Sequence, residues 1–149
     1  NLIKQAYTKA PFYRQVITML DELLLFEERN VARFNENLIR RIVDIIGLSC
    51  KIITSSGMEK NDSLVGESRV LDICKRLGAT DYANSPGGQA LYDRATFAQC
   101  GLDLKFLIPT PIEYKQFGVT HVPWLSIIDV MMFNSLSQLR TLLNKYELV

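Results

Sequence analysis

The sequence carries almost no net charge and has no long apolar run. Its 17 Lys and Arg residues nearly balance its 16 Asp and Glu residues, which leaves a net charge of +1 at pH 7. Such a balance provides no strong field for attracting nucleic acid or an anionic membrane surface. The longest apolar stretches, near residues 23–26 and 42–46, are far shorter than the roughly 18 to 20 residues of a membrane-spanning helix. We therefore expect neither a nucleic-acid partner nor a membrane span.

Cysteine is scarce, with Cys50, Cys74 and Cys100 widely spaced along the chain. No CxxC pair is present, and the single histidine has no partners at metal-ligand spacing, so no metal site is predicted. An odd number of scattered cysteines is typical of buried or half-buried structural thiols in a reducing compartment. A catalytic thiol is the less favoured alternative.

The first residues also lack the features of a secretory leader. No basic region followed by an apolar core is found there, which predicts a cytoplasmic protein without a signal peptide. The sequence does not begin with Met, so we expect further residues before Asn1. The composition itself is that of a globular protein, 48% hydrophobic and 22% charged over 149 residues. We predict one domain, residues 1–149, incomplete at its N-terminus.

The N-terminal third has apolar residues at helical spacing. Leu2–Lys9 is predicted as the end of a helix, and Pro11–Phe26 as a second helix that begins at a proline. Asn30 is a good N-cap for a third helix, which Gly47 ends. This part of the chain is therefore predicted to be entirely helical.

The pattern then alternates between strands and helices. The predicted strands are 50–54, 81–84 and 102–108; the predicted helices are 69–77, 89–92, 94–99, 124–133 and 136–146. Residues 55–68 are predicted to be a mobile surface loop, and 109–122 to be irregular. The alternation predicts an α/β fold, with a small, mostly parallel sheet of about three strands flanked by helices. Ligands in such sheets bind beyond the carboxyl ends of the strands.

One of those strand ends leads into a glycine-rich turn. Ser85, Gly87 and Gly88 are candidates to bind the phosphate or carboxylate of a substrate through backbone N–H groups at the start of a helix. Pro86 removes one of these donors, and the sequence contains no GxGxxG or GxxxxGK[ST] motif. A plain tight turn is an equal alternative.

The irregular segment and the helix after it contain the other candidates. His121, the single histidine, lies in a loop before a helix and is a candidate general acid or base; a structural role is the alternative. Asp129 is the one charge in an apolar helix, where a carboxylate needs a partner or a shifted pKa. We predict a catalytic role for both, with Tyr114 and Gln116 as substrate-binding residues. A structural partner for Asp129 and a solvated loop for Tyr114 and Gln116 are the alternatives.

Several segments of the sequence, taken in order, resemble the WbqC-like protein family. The resemblance covers nearly the whole chain and corresponds to the C-terminal two-thirds of the family. No single motif is decisive, and it is the order and spacing that carry the likeness. The similar segments are YTKAPFY at 7–13, Arg33–Asn35 with Leu38–Ile39, GESRVLDICKRLGATDY at 66–82, SPGGQALYD at 85–93, and HVPWLSIIDVMMFN at 121–134.

The resemblance implies a cytoplasmic transferase of bacterial O-antigen or other surface-polysaccharide biosynthesis. Such a protein is expected to modify a nucleotide-activated sugar or amino-sugar, by acyl or aminoacyl transfer. The family's N-terminal region, with its first strand and QPxYFP-like segment, has no counterpart in this sequence. We therefore expect that residues before Asn1 or a partner chain complete the site, or that this member has lost the activity. The cofactor is left open.

A second hypothesis comes from a different class of protein. In it the chain is a non-catalytic binding or assembly module that associates with itself or docks a partner chain through an exposed apolar surface. The oligomeric state in solution distinguishes this hypothesis from a transferase.

Overall fold

The computed structural model describes residues 2–149 of the chain. It divides into two compact units, each described separately below. The first comprises Asn1–Ile52 and Pro111–Lys145, and the second comprises Ile53–Thr110 and Tyr146–Val149. The expectation of one domain that is incomplete at its N-terminus stays a prediction. The described residues include no helix that combines the length and apolar character needed to cross a bilayer.

Five helices belong to the first unit. They are α1 (Leu2–Tyr7), α2 (Tyr13–Leu24), α3 (Val31–Ile46), α6 (Ile127–Phe133) and α7 (Leu136–Leu142). The predicted boundaries of α3 are confirmed: the Asn30 side chain accepts a hydrogen bond from the Arg33 N–H, and Gly47 ends the helix at φ +76°.

The core of the first unit lies where α2 packs against α6 and α7. The N–H of Phe12 donates to the carbonyl of Met132, which fixes the start of α2 against the end of α6. The buried apolar side chains of α2 are spaced three and four residues apart and form one stripe along the helix, whereas α6 buries three consecutive apolar side chains. The buried residues are Ala10, Val16, Met19, Leu20, Leu23, Val130, Met131, Met132 and Leu139.

Several helix boundaries in the first unit differ from the predicted ones. Helix α1 ends at Tyr7 and not at Lys9, and α2 spans Tyr13–Leu24 and not Pro11–Phe26. Helix α6 begins at Ile127 and not at residue 124, because Trp124 has a left-handed φ of +59° that no α-helix accommodates. The Ser126 side chain instead accepts from the N–H of Ile128 and caps the helix. Helix α7 ends at Leu142, so the predicted extension to Tyr146 is also wrong.

The second unit contains a small mixed sheet with short helices. Strand β1 (Asp81–Asn84) pairs in parallel with β2 (Asp103–Pro109), in the register Asp81 to Asp103. Strand β3 (Tyr146–Leu148) pairs antiparallel with β2, with Ile108 opposite Glu147. The helices are α4 (Gly66–Arg76) and α5 (Arg94–Gln99). The predicted α/β class with a three-stranded sheet is confirmed, and the sheet is mixed rather than mostly parallel.

The third strand is not the predicted one. Residues 50–54 form no strand, because the carbonyl of Ile52 accepts from the guanidinium of Arg40 at 2.9 Å and not from a neighbouring strand. Tyr146–Leu148, predicted as the end of a helix, supplies the third strand in their place. A strand needs a partner, and the partner is set by tertiary structure.

Other differences in the second unit are local. Residues 86–90 form a 3-10 turn where a helix over 89–92 was predicted, because Pro86 starts the turn and two glycines follow it. Helix α4 starts at Gly66, three residues before its predicted start. In the loop before α4, the Asn61 N–H donates to the carboxylate of Asp72 on α4. The mobility predicted for this loop stays a prediction.

The core of the second unit follows the alternation of β2. Leu104 and Phe106 on β2 pack with Leu102, Phe97 of α5 and Cys74 of α4. Cys74 is buried as predicted. Cys50 and Cys100 are exposed, so their predicted burial is wrong: the first lies in an irregular segment, and the second follows the last turn of α5.

Candidate functional site

Asp129 lies in the first turn of α6 and is buried, with 4% of its surface exposed. A buried carboxylate is stable only where donors compensate for the loss of water. Among the described residues no Lys, Arg or His forms an ion pair with Asp129. Its compensation therefore comes from neutral donors.

Three neutral side chains donate to this carboxylate. The Tyr7 hydroxyl lies 2.8 Å from Oδ2, and the Tyr114 hydroxyl lies 2.6 Å from Oδ1. The Gln116 amide nitrogen donates to Oδ1 at 3.1 Å. Hydrogen bonds to a charged acceptor are stronger than neutral ones, so the carboxylate fixes α1 and the irregular segment to the first turn of α6. We call this group of four residues the Asp129 cluster.

The phenols of the Asp129 cluster are held in their protonated form. Burial, followed by the hydrogen bond to Asp129, raises the pKa of Tyr7 to about 12. The same causes, in the same order, raise the pKa of Tyr114 to about 12. At neutral pH both hydroxyls are therefore donors to the carboxylate, and neither is available as a base.

Gln116 also closes a short loop. Its amide nitrogen donates to the carbonyl of Val122 at 3.1 Å, and its amide oxygen accepts from the N–H of Val122 at 2.8 Å. The side chain thus uses both of its polar atoms within the protein. This arrangement joins the loop that carries His121 to the Asp129 carboxylate.

His121 lies beside the Asp129 cluster with both ring nitrogens buried. Among the described residues neither Nδ1 nor Nε2 has a hydrogen-bond partner. The imidazole packs edge to face on Tyr114, with ring centroids 5.1 Å apart and an interplanar angle of 81°. A buried polar group without a partner costs about 1–3 kcal/mol, and such groups concentrate at functional sites. The Tyr114 ring thus positions the imidazole, while both imidazole nitrogens remain without a hydrogen-bond partner among the described residues.

The structure brings together four of the predicted site residues, namely Tyr114, Gln116, His121 and Asp129, in the first unit. Tyr7, which the sequence analysis missed, completes the group from α1. The one sequence feature that pointed to Tyr7 was its place on the apolar side of a helix. A phenol buried there needs a hydrogen-bond partner for its hydroxyl. Nothing in the sequence indicates which of the distant carboxylates that partner is.

Ser85, Gly87 and Gly88 lie in the second unit, at the end of β1. The N–H of Ser85 donates to the Asn84 side chain, and that of Gly88 donates to the Ser85 carbonyl. Of the donors in this turn, the Gly87 amide and the Ser85 hydroxyl have no partner among the described residues. An anion-binding role for these residues stays a prediction that rests on two donors.

The first unit also has a cavity of about 260 Å³ among α2, α3, α6 and α7. None of the predicted site residues lines it. Glu22 and Arg41 border the cavity and form an ion pair, with Oε2 of Glu22 3.1 Å from Nη2 of Arg41. Asn134 contributes a buried amide. Its apolar lining includes Phe12, Val16, Met19, Met131 and Leu139. Separately, the described residues contain no group of three His, Cys, Asp or Glu side chains arranged for a metal ion.

Comparison with known proteins gives a family match over residues 1–141. The family is described as the WbqC-like protein family, and the match covers nearly the whole chain. No curated protein and no solved structure matches the chain significantly. The match includes all four residues of the Asp129 cluster, and His121 with them.

Proposed function

This chain belongs to the WbqC-like protein family, and from that premise we propose that it is part of a cytoplasmic transferase of polysaccharide biosynthesis. The proposed substrate is a nucleotide-activated amino-sugar of O-antigen or another bacterial surface polysaccharide. The proposed reaction is acyl or aminoacyl transfer to the amine of that sugar. Family membership supports the biosynthetic context, and the surroundings of His121 support the reaction.

The observation that carries the proposal is the unpartnered His121 imidazole. In the proposed step the sugar amine attacks the carbonyl carbon of an activated acyl or aminoacyl ester. A C–N bond forms, the C–O bond to the donor's leaving group breaks, and the leaving group departs with the electron pair. One proton leaves the nitrogen for His121 and passes from there to the leaving oxygen. His121 thus acts as base and then as acid, which requires a ring nitrogen that no protein group occupies.

The Asp129 cluster has a positioning role in this proposal. Asp129 holds the Tyr114 hydroxyl, and the Tyr114 ring holds the imidazole edge to face. Gln116 fixes the loop on the other side of His121 through Val122. Asp129, Tyr114 and Gln116 therefore act through His121.

The test combines a thermal-shift screen with a turnover assay. UDP-linked and dTDP-linked amino-sugars are added with acyl or aminoacyl donors, and the product is detected by mass spectrometry. A ligand that binds the folded state raises the midpoint by mass action. His121→Ala is expected to keep the ligand-induced shift and to lose about 10²- to 10⁴-fold in turnover. The exposed Gln99→Ala variant is the control.

The proposal fails if no nucleotide-sugar shifts the midpoint, or if His121→Ala turns over at the wild-type rate. The screen is repeated on the chain extended to its natural start. A shift seen with the extended chain alone assigns part of the site to the added residues.

One observation favours the assembly module as a second candidate function. Five large apolar side chains between residues 117 and 125 are exposed, and such patches mark interaction surfaces. In this reading the segment docks a partner chain or a second copy. A concentration-independent monomer mass in light scattering would argue against self-association. The exposed residues are Phe117, Val119, Val122, Trp124 and Leu125.

A further inference from the structure

Trp124 keeps a large aromatic ring in solvent at a conformational cost. Its φ of +59° lies in the left-handed region, and no other described non-glycine residue has a positive φ. For a bulky side chain that conformation is energetically unfavourable. Trp124 as a residue is 69% exposed, so burial does not offset this cost. Strain of this kind is concentrated where a binding group is held in place.

The strained residue lies between two fixed points. On one side, Gln116 binds both backbone polar atoms of Val122. On the other side, Ser126 accepts from the Ile128 N–H and starts α6. Trp124 is two residues from each, so its ring is presented by an anchored segment rather than by a free loop.

His121 lies three residues before Trp124, and its unpartnered nitrogens are a second, independent indication of a ligand. Three residues span at most about 10 Å along the backbone, so the Cα atoms of His121 and Trp124 are no farther apart than the length of one small molecule. A flat apolar surface and an unused hydrogen-bonding group so close together fit a ligand with an apolar face and a polar edge.

We propose that Trp124 is the stacking platform for the pyranose ring of the amino-sugar. The C–H face of the ring would pack on the indole, whose face carries partial negative charge. The polar edge, with the reacting amine, would then lie toward His121. This inference rests on the proposed function, because it takes the sugar as the part of the substrate that reacts at His121. A nucleobase also stacks on aromatic rings, but it is separated from the reacting amine by the phosphates.

Trp124 is the only tryptophan in the chain, so selectively excited tryptophan emission reports on this position alone. The probes are a UDP-linked amino-sugar, the free amino-sugar and UDP. The UDP-linked sugar and, at higher concentration, the free sugar are expected to shift or quench the emission, while UDP leaves it unchanged. An equal effect of UDP would assign the platform to the base and overturn the inference.

Substitutions at position 124 separate stacking from folding, with affinity for the UDP-linked sugar measured by calorimetry. Trp124→Phe keeps an aromatic face and is expected to retain affinity within a few-fold. Trp124→Asn removes the face but tolerates a left-handed φ, so affinity should fall about tenfold or more without a loss of thermal stability. Phe26→Leu, another exposed aromatic residue, is the control.

The two proposals fail in different ways. If the UDP-linked sugar raises the thermal midpoint but leaves the emission and the affinity of Trp124→Asn unchanged, the platform is excluded and the transferase proposal stands. If no sugar raises the midpoint, the transferase proposal fails and the platform fails with it.

Discussion

The hydroxyl of Tyr114 lies 2.6 Å from Oδ1 of Asp129, and the carboxylate accepts it while almost completely buried. This contact joins the irregular segment to the first turn of α6. With the bonds from Tyr7 and Gln116, it makes the charge of Asp129 the point where α1 and the irregular segment meet α6. The first prediction concerns the loss of that charge.

Asp129→Asn is expected to lower the free energy of unfolding by about 2 kcal/mol, because hydrogen bonds to a charged group contribute more than neutral ones. The new amide nitrogen is itself a donor, and it would face one of the donors that the carboxylate accepts from in the wild type. Chemical denaturation measures the change. Asp44→Asn, at an exposed position on α3, is the matched control and should leave stability unchanged. Equal stability of the Asp129→Asn variant and the wild type would contradict the role of the cluster.

The Tyr7 and Tyr114 phenols predict a loss of stability at alkaline pH. Both pKa values are raised to about 12, against roughly 10 in the unfolded chain. The folded state therefore binds these protons more tightly, and the stabilisation is fully present below pH 10 and is lost as the pH rises toward 12. The thermal midpoint should fall more steeply from pH 10 upward in the wild type than in Tyr7→Phe/Tyr114→Phe. Equal slopes would contradict the prediction; Tyr146→Phe is the control.

Removal of the Gln116 side chain should destabilise the protein less than its replacement by a negatively charged side chain. Gln116→Ala loses the bonds to Val122 and Asp129, which together contribute about 1–3 kcal/mol. Gln116→Glu places a second carboxylate beside Oδ1 of Asp129 and should be less stable still at pH 7. Thermal midpoints at pH 7 and pH 4 give the comparison. The gap between the two variants should close at the lower pH, and a gap independent of pH would show that like-charge repulsion is not its cause.

Gly47 is predicted to be required for two separable reasons. Its φ is +76°, and a Cβ there would lie 2.6 Å from Nη2 of Arg140, whose Nε donates to the carbonyl of Ile46. Gly47→Ala should therefore cost about 1–2 kcal/mol from the backbone conformation and about 1 kcal/mol more from the displaced arginine. Gly101→Ala has φ +73° and open space, so it isolates the first contribution.

Chemical denaturation of Gly101→Ala gives the contribution of the backbone conformation. The difference between Gly47→Ala and Gly101→Ala gives the contribution of the displaced arginine. Gly57→Ala, with no positive φ and no neighbour within 4 Å, is the control for the loss of glycine itself. If Gly47→Ala and Gly101→Ala were equally destabilised, the contact with Arg140 would have no energetic role.

Local chemistry explains what could be predicted from the sequence. The Asn30 cap, the Gly47 stop and the alternation along β2 each depend on neighbouring residues, so all three were predicted correctly. The predicted strand at 50–54 failed because its apolar, β-branched pattern meets no partner strand. Tyr146–Leu148 became a strand because β2 offered an edge to it.

The candidate site divides in the same way. The sequence by itself determined that a lone carboxylate in an apolar helix needs partners and that a lone histidine precedes that helix. Only the tertiary structure decided that the partners are Tyr7, Tyr114 and Gln116, because Tyr7 is separated from Asp129 by 122 residues. Hydrogen bonds are directional and short, so they are settled by the packing of α1, the irregular segment and α6, which no local pattern contains.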